Sequence, residues 1–213
     1  MKIERFQLGA LWTNGYLVYD GSGVGFFADP GGDPEDVLSA IDSKGIRLEF
    51  ILLTHGHADH IAGLEKIRSR ADRGVLIHEE DSEMLTVPES NLSAFVGERL
   101  SLSPAEGVFC GGESLAAGSL SIKVIHTPGH TRGSSCFIVE EPGEPAILLS
   151  GDTLFAGSVG RSDLPGGDEK ILLASLEKLG CLPDDMKVFP GHGPATTIGE
   201  ERICNPFWPG MRS

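Results

Sequence analysis

Positive charge is scarce in this sequence. Of its 213 residues, 17 are lysine or arginine and 31 are aspartate or glutamate, which gives a formal net charge of −14. Such an acidic chain repels phosphate backbones and anionic lipid headgroups unless basic residues are concentrated in one patch. The densest basic cluster, formed by Arg68, Arg70 and Arg73, is typical of a solvated helix face. We therefore expect neither a nucleic-acid partner nor a membrane partner.

Long apolar runs and paired cysteines are also missing. No stretch reaches the roughly 20 apolar residues of a membrane-spanning helix, and residues 1–20 lack the basic and apolar regions of a secretory signal. The four cysteines, Cys110, Cys136, Cys181 and Cys204, show no CxxC pair, which indicates reduced thiols rather than a disulfide framework. These absences predict a cytoplasmic protein and leave its oligomeric state open.

Glycine, by contrast, is abundant and separates short apolar segments. The chain has 29 glycines without a period, about twice the average usage of roughly 7%. Strand-rich and helical segments alternate twice along the chain, and no low-complexity linker divides it. This pattern predicts a single domain of mixed α/β class that spans residues 1–213.

Hydrophobic periodicity and capping residues predict the individual elements. We expect a hairpin at the turn Asp20 to Gly23 and a helix between Asp33 as N-cap, with Pro34 at its first position, and Gly45 as its end. Residues 82–104 show no clean period. Strands are predicted at residues 3–8, 15–20, 24–28, 50–53, 75–77, 120–125, 135–139, 146–149 and 187–189, and further helices at 61–73, 169–179 and 198–204.

Potential metal ligands are concentrated in the segment THGHADH, residues 54–60, directly after an apolar strand. Imidazole and carboxylate groups suit divalent metals such as zinc and iron, so we interpret His55, His57, Asp59 and His60 as ligands. Alternate residues of an extended segment share a face, which would place His55, His57 and Asp59 on one side. His60 would begin the next helix and turn toward a second ion.

Three further ligand candidates each follow a strand-like run and lie beside glycine or proline. They are His130 in TPGHT, Asp152 in GDT and His192 in PGHG. Loops at strand ends are where a rigid scaffold gathers functional side chains. Together with the first segment, these residues could complete two coordination shells.

The four motifs, in this order between Thr54 and Gly193, resemble those of the metallo-β-lactamase-fold hydrolases. The segments ADPG at 28–31, LFAGSVGRSDLP at 154–165, GEER at 199–202 and NPF at 205–207 narrow the resemblance to the small, single-domain glyoxalase II-like bacterial proteins. The resemblance implies a four-layer αββα sandwich. It also implies that His55, His57 and His130 hold one metal, that Asp59, His60 and His192 hold a second, and that Asp152 bridges both.

The same resemblance implies a metal-dependent thioester hydrolase with two divalent metal ions. The pKa of a water that bridges two such ions falls from about 15.7 to near 7, and the hydroxide would attack a small thioester such as S-lactoylglutathione. Zinc is the expected metal, with iron or a mixed iron–zinc pair as alternatives. Asp59 would also orient the nucleophile or relay its proton. Asp29 would orient the ligands from outside the metal shell, or would simply be a turn residue.

Arg161, in the glycine-rich loop after Asp152, has two interpretations. In the resembling families a cation at this position contacts the glutathione part of the substrate, which makes Arg161 a candidate substrate-binding residue. The alternative is a structural ion pair between Arg161 and Asp163. Asp163 also stands where glyoxalase II has a tyrosine that contacts glutathione, which argues against tight glutathione binding.

Two other functions stay open at this point. A persulfide dioxygenase, from a neighbouring branch of the same family, would use one Fe(II) held by His55, His130 and Asp152, since two histidines and one carboxylate suit non-haem iron. A non-catalytic metal-binding module is disfavoured because all seven ligand positions are filled.

The two histidines outside these motifs are interpreted as structural, and for His126 a position directly behind the metal ligands is the alternative. His78 carries no ligand motif, so we expect a surface or structural role. His126 precedes His130 by four residues, but Pro128 and Gly129 exclude the regular helix that would bring the two rings together.

Overall fold

Two six-stranded sheets lie face to face at the centre of the computed structural model, which describes residues 1–208. The strands of the first sheet lie in chain order, β1 to β6. β1 to β3 pair antiparallel, and β3 to β6 pair parallel. Their bounds are Lys2–Leu8, Thr13–Tyr19, Val24–Ala28, Arg47–Leu52, Val75–His78 and Gly107–Phe109.

The second sheet has the strand order β14-β13-β10-β9-β8-β7. Its neighbours pair antiparallel except for β10 and β13, which are parallel. A two-stranded hairpin, β11 and β12, follows β10. The bounds of β7 to β14 are Ser114–Ala117, Leu120–His126, Ser135–Glu140, Ile147–Gly151, Leu154–Phe155, Ser158–Val159, Lys187–Pro190 and Thr196–Thr197.

Helices cover the outer face of each sheet. α1 (Glu35–Lys44), α2 (Ala58–Ile61) and α3 (Leu64–Ile67) pack on the first sheet, and α4 (Glu169–Leu179) and α5 (Ile198–Cys204) on the second. Phe26, Phe50 and Phe137 are fully buried between the sheets. The layers form an αββα sandwich, which confirms the predicted fold class. Among residues 1–208, no helix combines the length and apolar character needed to cross a membrane.

Several predicted elements agree closely with the structure. The hairpin at Asp20 to Gly23 joins β2 and β3, and α4 and α5 have the predicted bounds. Asp168 caps α4, since its carboxylate accepts a hydrogen bond from the Ile171 N–H at 3.0 Å. Five strands, β6, β7, β11, β12 and β14, have no counterpart among the predicted strands, and each has only two to four residues.

The continuous helix predicted at residues 61–73 is wrong. The chain instead forms α2, α3 and a 3-10 turn at Arg68–Arg70. The interruption lies at Gly63, whose N–H donates a hydrogen bond to the Pro30 carbonyl at 2.7 Å. A Cβ at Gly63 would overlap the carbonyl oxygen of Gly32. The helix therefore breaks at Gly63 because the loop after β3 packs against it. The two segments in contact are distant in sequence.

The predicted N-cap Asp33 is also wrong. Pro34 occupies the cap position of α1 without a side-chain hydrogen bond, and the carboxylate of Asp33 instead accepts a hydrogen bond from Lys66 Nζ at 2.8 Å. The predicted end is confirmed, because Gly45 closes the helix in the left-handed conformation with φ 63°.

Asp20 links the two sheets at the turn between β2 and β3. Its buried carboxylate accepts hydrogen bonds from Ser22 and Val24 in its own turn and from the Ser119 N–H at 2.8 Å, between β7 and β8. Burial alone would raise the pKa of Asp20, but these hydrogen bonds outweigh it and hold the pKa below its usual range. The ionised carboxylate is therefore part of the folded structure.

We expect Asp20→Asn to lower the free energy of unfolding by about 1–3 kcal/mol, since one amide oxygen cannot replace two carboxylate oxygens as acceptors. The folded pKa is depressed, so the wild-type advantage is full above the unfolded value of about 3.9 and declines progressively as the pH falls from there toward the lower folded pKa. Urea unfolding of both proteins at pH 7 and pH 3 measures this difference. An equal difference at both pH values would contradict the role of the ionised carboxylate.

Candidate metal centre

The seven predicted ligands come together at one end of the sandwich, where several strands end. Each lies in a loop or short helix that follows a strand, so the preceding strand anchors the segment that carries the ligand. His55 and His57 follow β4, Asp59 and His60 lie in α2, His130 lies between β8 and β9, Asp152 follows β10, and His192 follows β13.

A first group consists of His55, His57 and His130, all buried. Nδ1 of His57 lies 2.9 Å from Nε2 of His130. The same Nε2 of His130 lies 3.3 Å from Nε2 of His55. Three imidazole nitrogens therefore face one small volume, as three ligands of a single ion would.

A second group consists of Asp59, His60 and His192. Oδ2 of Asp59 lies 3.1 Å from Nε2 of His192 and 3.7 Å from Nε2 of His60. The expectation that Asp59 shares one side with His55 and His57 is wrong, because the chain turns into α2 at Ala58 and is no longer extended at Asp59.

Asp152 lies between the two groups. Its Oδ2 is 3.6 Å from Nε2 of His130 in the first group and 3.6 Å from Nε2 of His192 in the second. Its Oδ1 is 3.3 Å from Nε2 of His60. One carboxylate is thus within reach of both sets of nitrogens.

Hydrogen bonds behind the rings determine which ring nitrogens carry protons. Nδ1 of His130 lies 2.7 Å from the carbonyl oxygen of Arg161, so this nitrogen donates. The hydroxyl of Thr54 donates to Asp29, and therefore accepts from Nδ1 of His55 at 3.1 Å. Each neutral ring then directs the lone pair of its Nε2 inward.

Those inward lone pairs show that the residues fit a bound cation. Nε2 of His55 and Nε2 of His130 lie 3.3 Å apart, and because Nδ1 of each ring contacts an oxygen, both Nε2 atoms are left facing inward. Nε2 of His60 and Oδ1 of Asp152 are buried and lie 3.3 Å from each other, and neither has another hydrogen-bond partner within residues 1–208. Buried polar atoms normally have partners, and imidazole with carboxylate is the donor set of divalent first-row metals.

The electrostatics of the two groups differ. Burial, reinforced by neighbouring imidazoles, lowers the pKa of His55 well below its usual value and that of His57 to about 3. Burial opposes protonation of His60 too, but the carboxylates of Asp152 and Asp59 outweigh it and raise the pKa of His60. The carboxylates around His60 therefore favour a positive charge at this position, and a bound metal cation would supply that charge.

Asp29 lies behind the ligands and not in a solvent-exposed turn. Its Oδ2 is 3.0 Å from Nδ1 of His60 and accepts the Thr54 hydroxyl at 2.7 Å, while its Oδ1 accepts the Thr54 N–H. Its backbone is left-handed, with φ 53°, a conformation that aspartate tolerates better than most residues. Asp29 therefore orients His60 directly and His55 through Thr54, as the first of the two interpretations stated.

Three residues that support the centre carry no signal in the sequence. The Thr13 hydroxyl donates to Oδ2 of Asp59 at 3.2 Å. The Asn14 side chain donates to the carbonyls of Pro190 and Gly193, on either side of His192. Asp81 accepts hydrogen bonds from the segments that carry the first group. None of the three belongs to a ligand motif, and only the fold brings them to the site.

Arg161 forms the ion pair of the second interpretation. Its guanidinium makes two hydrogen bonds to the carboxylate of Asp163, at 2.8 and 2.9 Å, and both side chains are exposed. Its main-chain carbonyl reaches the centre through His130. Substrate binding by the Arg161 side chain stays a prediction.

His78 and His126 lie outside the centre and stack on each other with ring centroids 4.0 Å apart. His78 is buried, donates through Nε2 to the Cys110 carbonyl at 2.6 Å and accepts the Glu80 N–H. His126 donates through Nε2 to the Arg132 carbonyl at 2.8 Å. Both are structural, and a surface position for His78 is wrong.

Comparison with known proteins agrees with this geometry. The family model of the metallo-beta-lactamase superfamily matches residues 11–192. The chain belongs to this superfamily. It is 35% identical to the probable metallo-hydrolase YqgX of Bacillus subtilis, over 99% of each chain. It is 33% identical to the hydroxyacylglutathione hydrolase GloC of Haemophilus influenzae, over 97% of this chain and 98% of that one.

Solved structures of this superfamily share the fold. The BLEG-1 B3 metallo-beta-lactamase superposes with a TM-score of 0.90 at 36% identity, over 98% of this chain and all of that one. TTHA1623, solved in a di-iron-bound form, superposes with a TM-score of 0.79 at 37% identity, over 96% and 99% of the two chains. The family is one of metal-dependent hydrolases, and the His and Asp groups of this chain could hold the metal.

Proposed function

We propose that this protein hydrolyses small thioesters, such as S-lactoylglutathione, at a centre of two divalent metal ions. The observation that carries the proposal is Asp152, which lies within reach of two separate groups of ligands. The similarity to GloC supports a hydroxyacyl thioester as the substrate class. The similarity to TTHA1623 in its di-iron form supports two ions, with zinc the first expectation and iron the alternative.

We assign the ligands to the two ions as the family resemblance implied. His55, His57 and His130 would hold the first ion, Asp59, His60 and His192 the second, and Asp152 both. Ions bound there would supply a water of lowered pKa and a Lewis acid for the thioester carbonyl. Asp59 is ionised at neutral pH, because His60 and His192 overcome the effect of burial and lower its pKa. Its carboxylate can therefore accept a hydrogen bond from the attacking water and orient it.

A cavity of about 270 Å³, lined by residues 159–163 and by side chains of α4, is our candidate site for the thiol part of the substrate. Its lining combines apolar side chains, including Leu172, Leu173 and Phe207, with Arg161, Ser162 and Asp163. The Arg161 carbonyl accepts a hydrogen bond from Nδ1 of His130, so a loop that lines the cavity also contacts the first ligand group. We propose that the Arg161 side chain binds a carboxylate of the substrate here.

Replacing Arg161 by alanine should raise KM for S-lactoylglutathione by about two- to fivefold with kcat unchanged, since an exposed charge contributes about 0.2–1 kcal/mol. Asp163→Asn is the matched variant. It releases the guanidinium from its intramolecular partner and should lower KM. Steady-state kinetics of the three proteins measures both effects. Unchanged KM values in both variants would contradict substrate binding by Arg161.

The function itself is tested by metal analysis paired with substrate assays. Protein expressed without added metal is analysed for zinc and iron, then assayed with S-lactoylglutathione, a β-lactam and glutathione persulfide under oxygen. Two ions per chain with thioester turnover support the proposal. One iron per chain with oxygen consumption on the persulfide and no thioester cleavage would show a dioxygenase instead. Cleavage of the β-lactam alone would show that the chain shares the activity named for BLEG-1.

A further inference from the structure

Asp81 is a buried carboxylate close to the metal centre that belongs to neither ligand group. It lies in the 3-10 segment Glu79–Leu85, directly after β5. Its Oδ1 accepts the N–H of Gly133 at 2.7 Å. Its Oδ2 accepts the N–H of Gly56 at 3.2 Å and the hydroxyl of Thr131 at 2.6 Å. Within residues 1–208, all its hydrogen-bond partners are therefore main-chain N–H groups or a hydroxyl, and they belong to two loops, one after β4 and one between β8 and β9.

These donors flank the ligands of the first group. Gly56 lies between His55 and His57, and Thr131 follows His130 directly. The two loops come from different sheets, one after β4 and the other between β8 and β9. Asp81 thus joins the two backbone segments whose separation sets how closely the three imidazoles approach one another.

The two loops approach the segment Glu79–Leu85 closely enough to require glycine. A Cβ at Gly133 would lie 2.7 Å from the carboxyl carbon of Asp81, and a Cβ at Gly56 would lie 2.5 Å from Cβ of Met84. Real Cβ atoms do not approach other heavy atoms this closely. The geometry of this corner therefore depends on the carboxylate and on both glycines together.

The second group has a separate support on β2. The Asn14 Nδ2 donates to the carbonyls of Pro190 and Gly193, each at 2.9 Å, and the Asn14 N–H donates to the Gly191 carbonyl at 2.7 Å. These bonds hold the loop that carries His192. No hydrogen bond of Asn14 reaches the loops of His55, His57 or His130 within the described residues.

We propose that Asp81 and Asn14 are positioning residues that act independently, Asp81 on the first ligand group and Asn14 on the second. The proposal rests on the metal centre proposed above. It assigns to each ion its own outer support, so that the affinity of one site can change while the other stays constant. Outer partners of metal ligands typically contribute about 10–100-fold to metal affinity.

The physical basis for Asp81 is the count of acceptor atoms. The Gly56 and Gly133 N–H groups point at different carboxylate oxygens. An asparagine amide has one acceptor oxygen, so Asp81→Asn leaves one of these buried N–H groups without a partner. An unsatisfied buried donor is unfavourable, and the loop that carries it must shift to reach another acceptor. Either shift changes the separation of His55 and His57 from His130.

The test measures zinc affinity by competition with a chromophoric chelator in two backgrounds. His57→Ala disables the first group and leaves zinc at the second, whereas Asp59→Ala disables the second and leaves zinc at the first. We expect Asp81→Asn to weaken zinc binding by about 10–100-fold in the Asp59→Ala background and not in the His57→Ala background. Asn14→Leu should show the opposite pattern.

Asp20→Asn is the matched control, since it removes a similarly bonded buried carboxylate at a turn far along the chain from the ligands. It should leave zinc affinity unchanged in both backgrounds. Equal weakening of both sites by Asp81→Asn would show a general loss of stability and overturn the proposal. If wild-type protein binds fewer than two zinc ions, the proposed metal centre fails instead.

A milder variant covers the case in which Asp81→Asn does not fold. Thr131→Val removes one of the three donors to Asp81 and leaves the carboxylate and both glycines in place. It should weaken only the first site, by less than Asp81→Asn is expected to. Zinc affinity unchanged at both sites in Thr131→Val would then overturn the proposal.

Discussion

Asp152→Ala should lose bound metal and thioesterase activity together. Asp152 is the carboxylate that lies between the two groups, with Oδ2 at 3.6 Å from a nitrogen of each. Its removal takes an anionic ligand from both proposed ions at once. The loss of affinity should therefore exceed the roughly 10–100-fold effect of an outer partner. Elemental analysis after dialysis, with activity measured on the same sample, gives both quantities.

Asp72→Ala is a suitable control for this variant. Asp72 is an exposed carboxylate paired with Arg47, outside both ligand groups, and its loss should change neither metal content nor activity. If Asp152→Ala kept the full metal content of the wild type, Asp152 would not bridge the two ions. Metal retained together with lost activity would instead assign Asp152 to the reaction and not to metal binding.

Metal removal should produce the second large effect, a loss of thermal stability. The folded chain holds seven ligand side chains in one place, whereas the unfolded chain does not, so bound zinc stabilises the folded state. At free zinc 1,000-fold above Kd, one site adds about 4 kcal/mol. For a chain of this length, that corresponds to an increase in Tm of about 8–16 °C.

Differential scanning calorimetry of chelator-stripped protein, with and without added zinc, measures this shift. The shift should be smaller at pH 5 than at pH 8, because histidine ligands bind metal in their neutral form. The Asp152→Ala variant should show a much smaller shift than the wild type. An identical Tm in stripped and zinc-loaded wild type would contradict the metal centre.

The predictions for Asp152, Asp81 and Asn14 also distinguish a metal ligand from the residues that position ligands. Asp152→Ala acts on both ions, whereas Asp81→Asn acts on the first and Asn14→Leu on the second. The difference follows from geometry, since Asp152 faces nitrogens of both groups while the hydrogen bonds of Asp81 and Asn14 reach different loops. Zinc affinities of the three variants therefore test the arrangement of the whole centre.

Local sequence was sufficient for the elements whose causes are local. α4 begins at an aspartate cap and buries Leu172, Leu176 and Leu179 on one side, and both features are readable from neighbouring residues. The four motifs likewise give the types of the ligands and their position after strands. Short-range patterns decide these features, because capping and side-chain periodicity involve residues only a few positions apart.

Interactions between distant segments decided the features that the sequence left open. The helix expected at 61–73 breaks at Gly63 because the loop at Pro30–Gly32 packs against it. No periodicity within residues 61–73 contains this information, since its cause lies elsewhere in the chain. The position of Asp59 has a local cause, because α2 begins at Ala58.

The sequence by itself determined that this chain is an acidic α/β protein with seven metal-type ligands at strand ends. The family resemblance implied the two ligand groups, and the tertiary structure showed that these side chains meet, that Asp152 lies between the groups, and that Asp81 and Asn14 hold the loops. The reason is physical. Ligand identity is a property of single residues, whereas a distance of 2.9 Å between nitrogens of His57 and His130, which are 73 positions apart, depends on how two sheets pack.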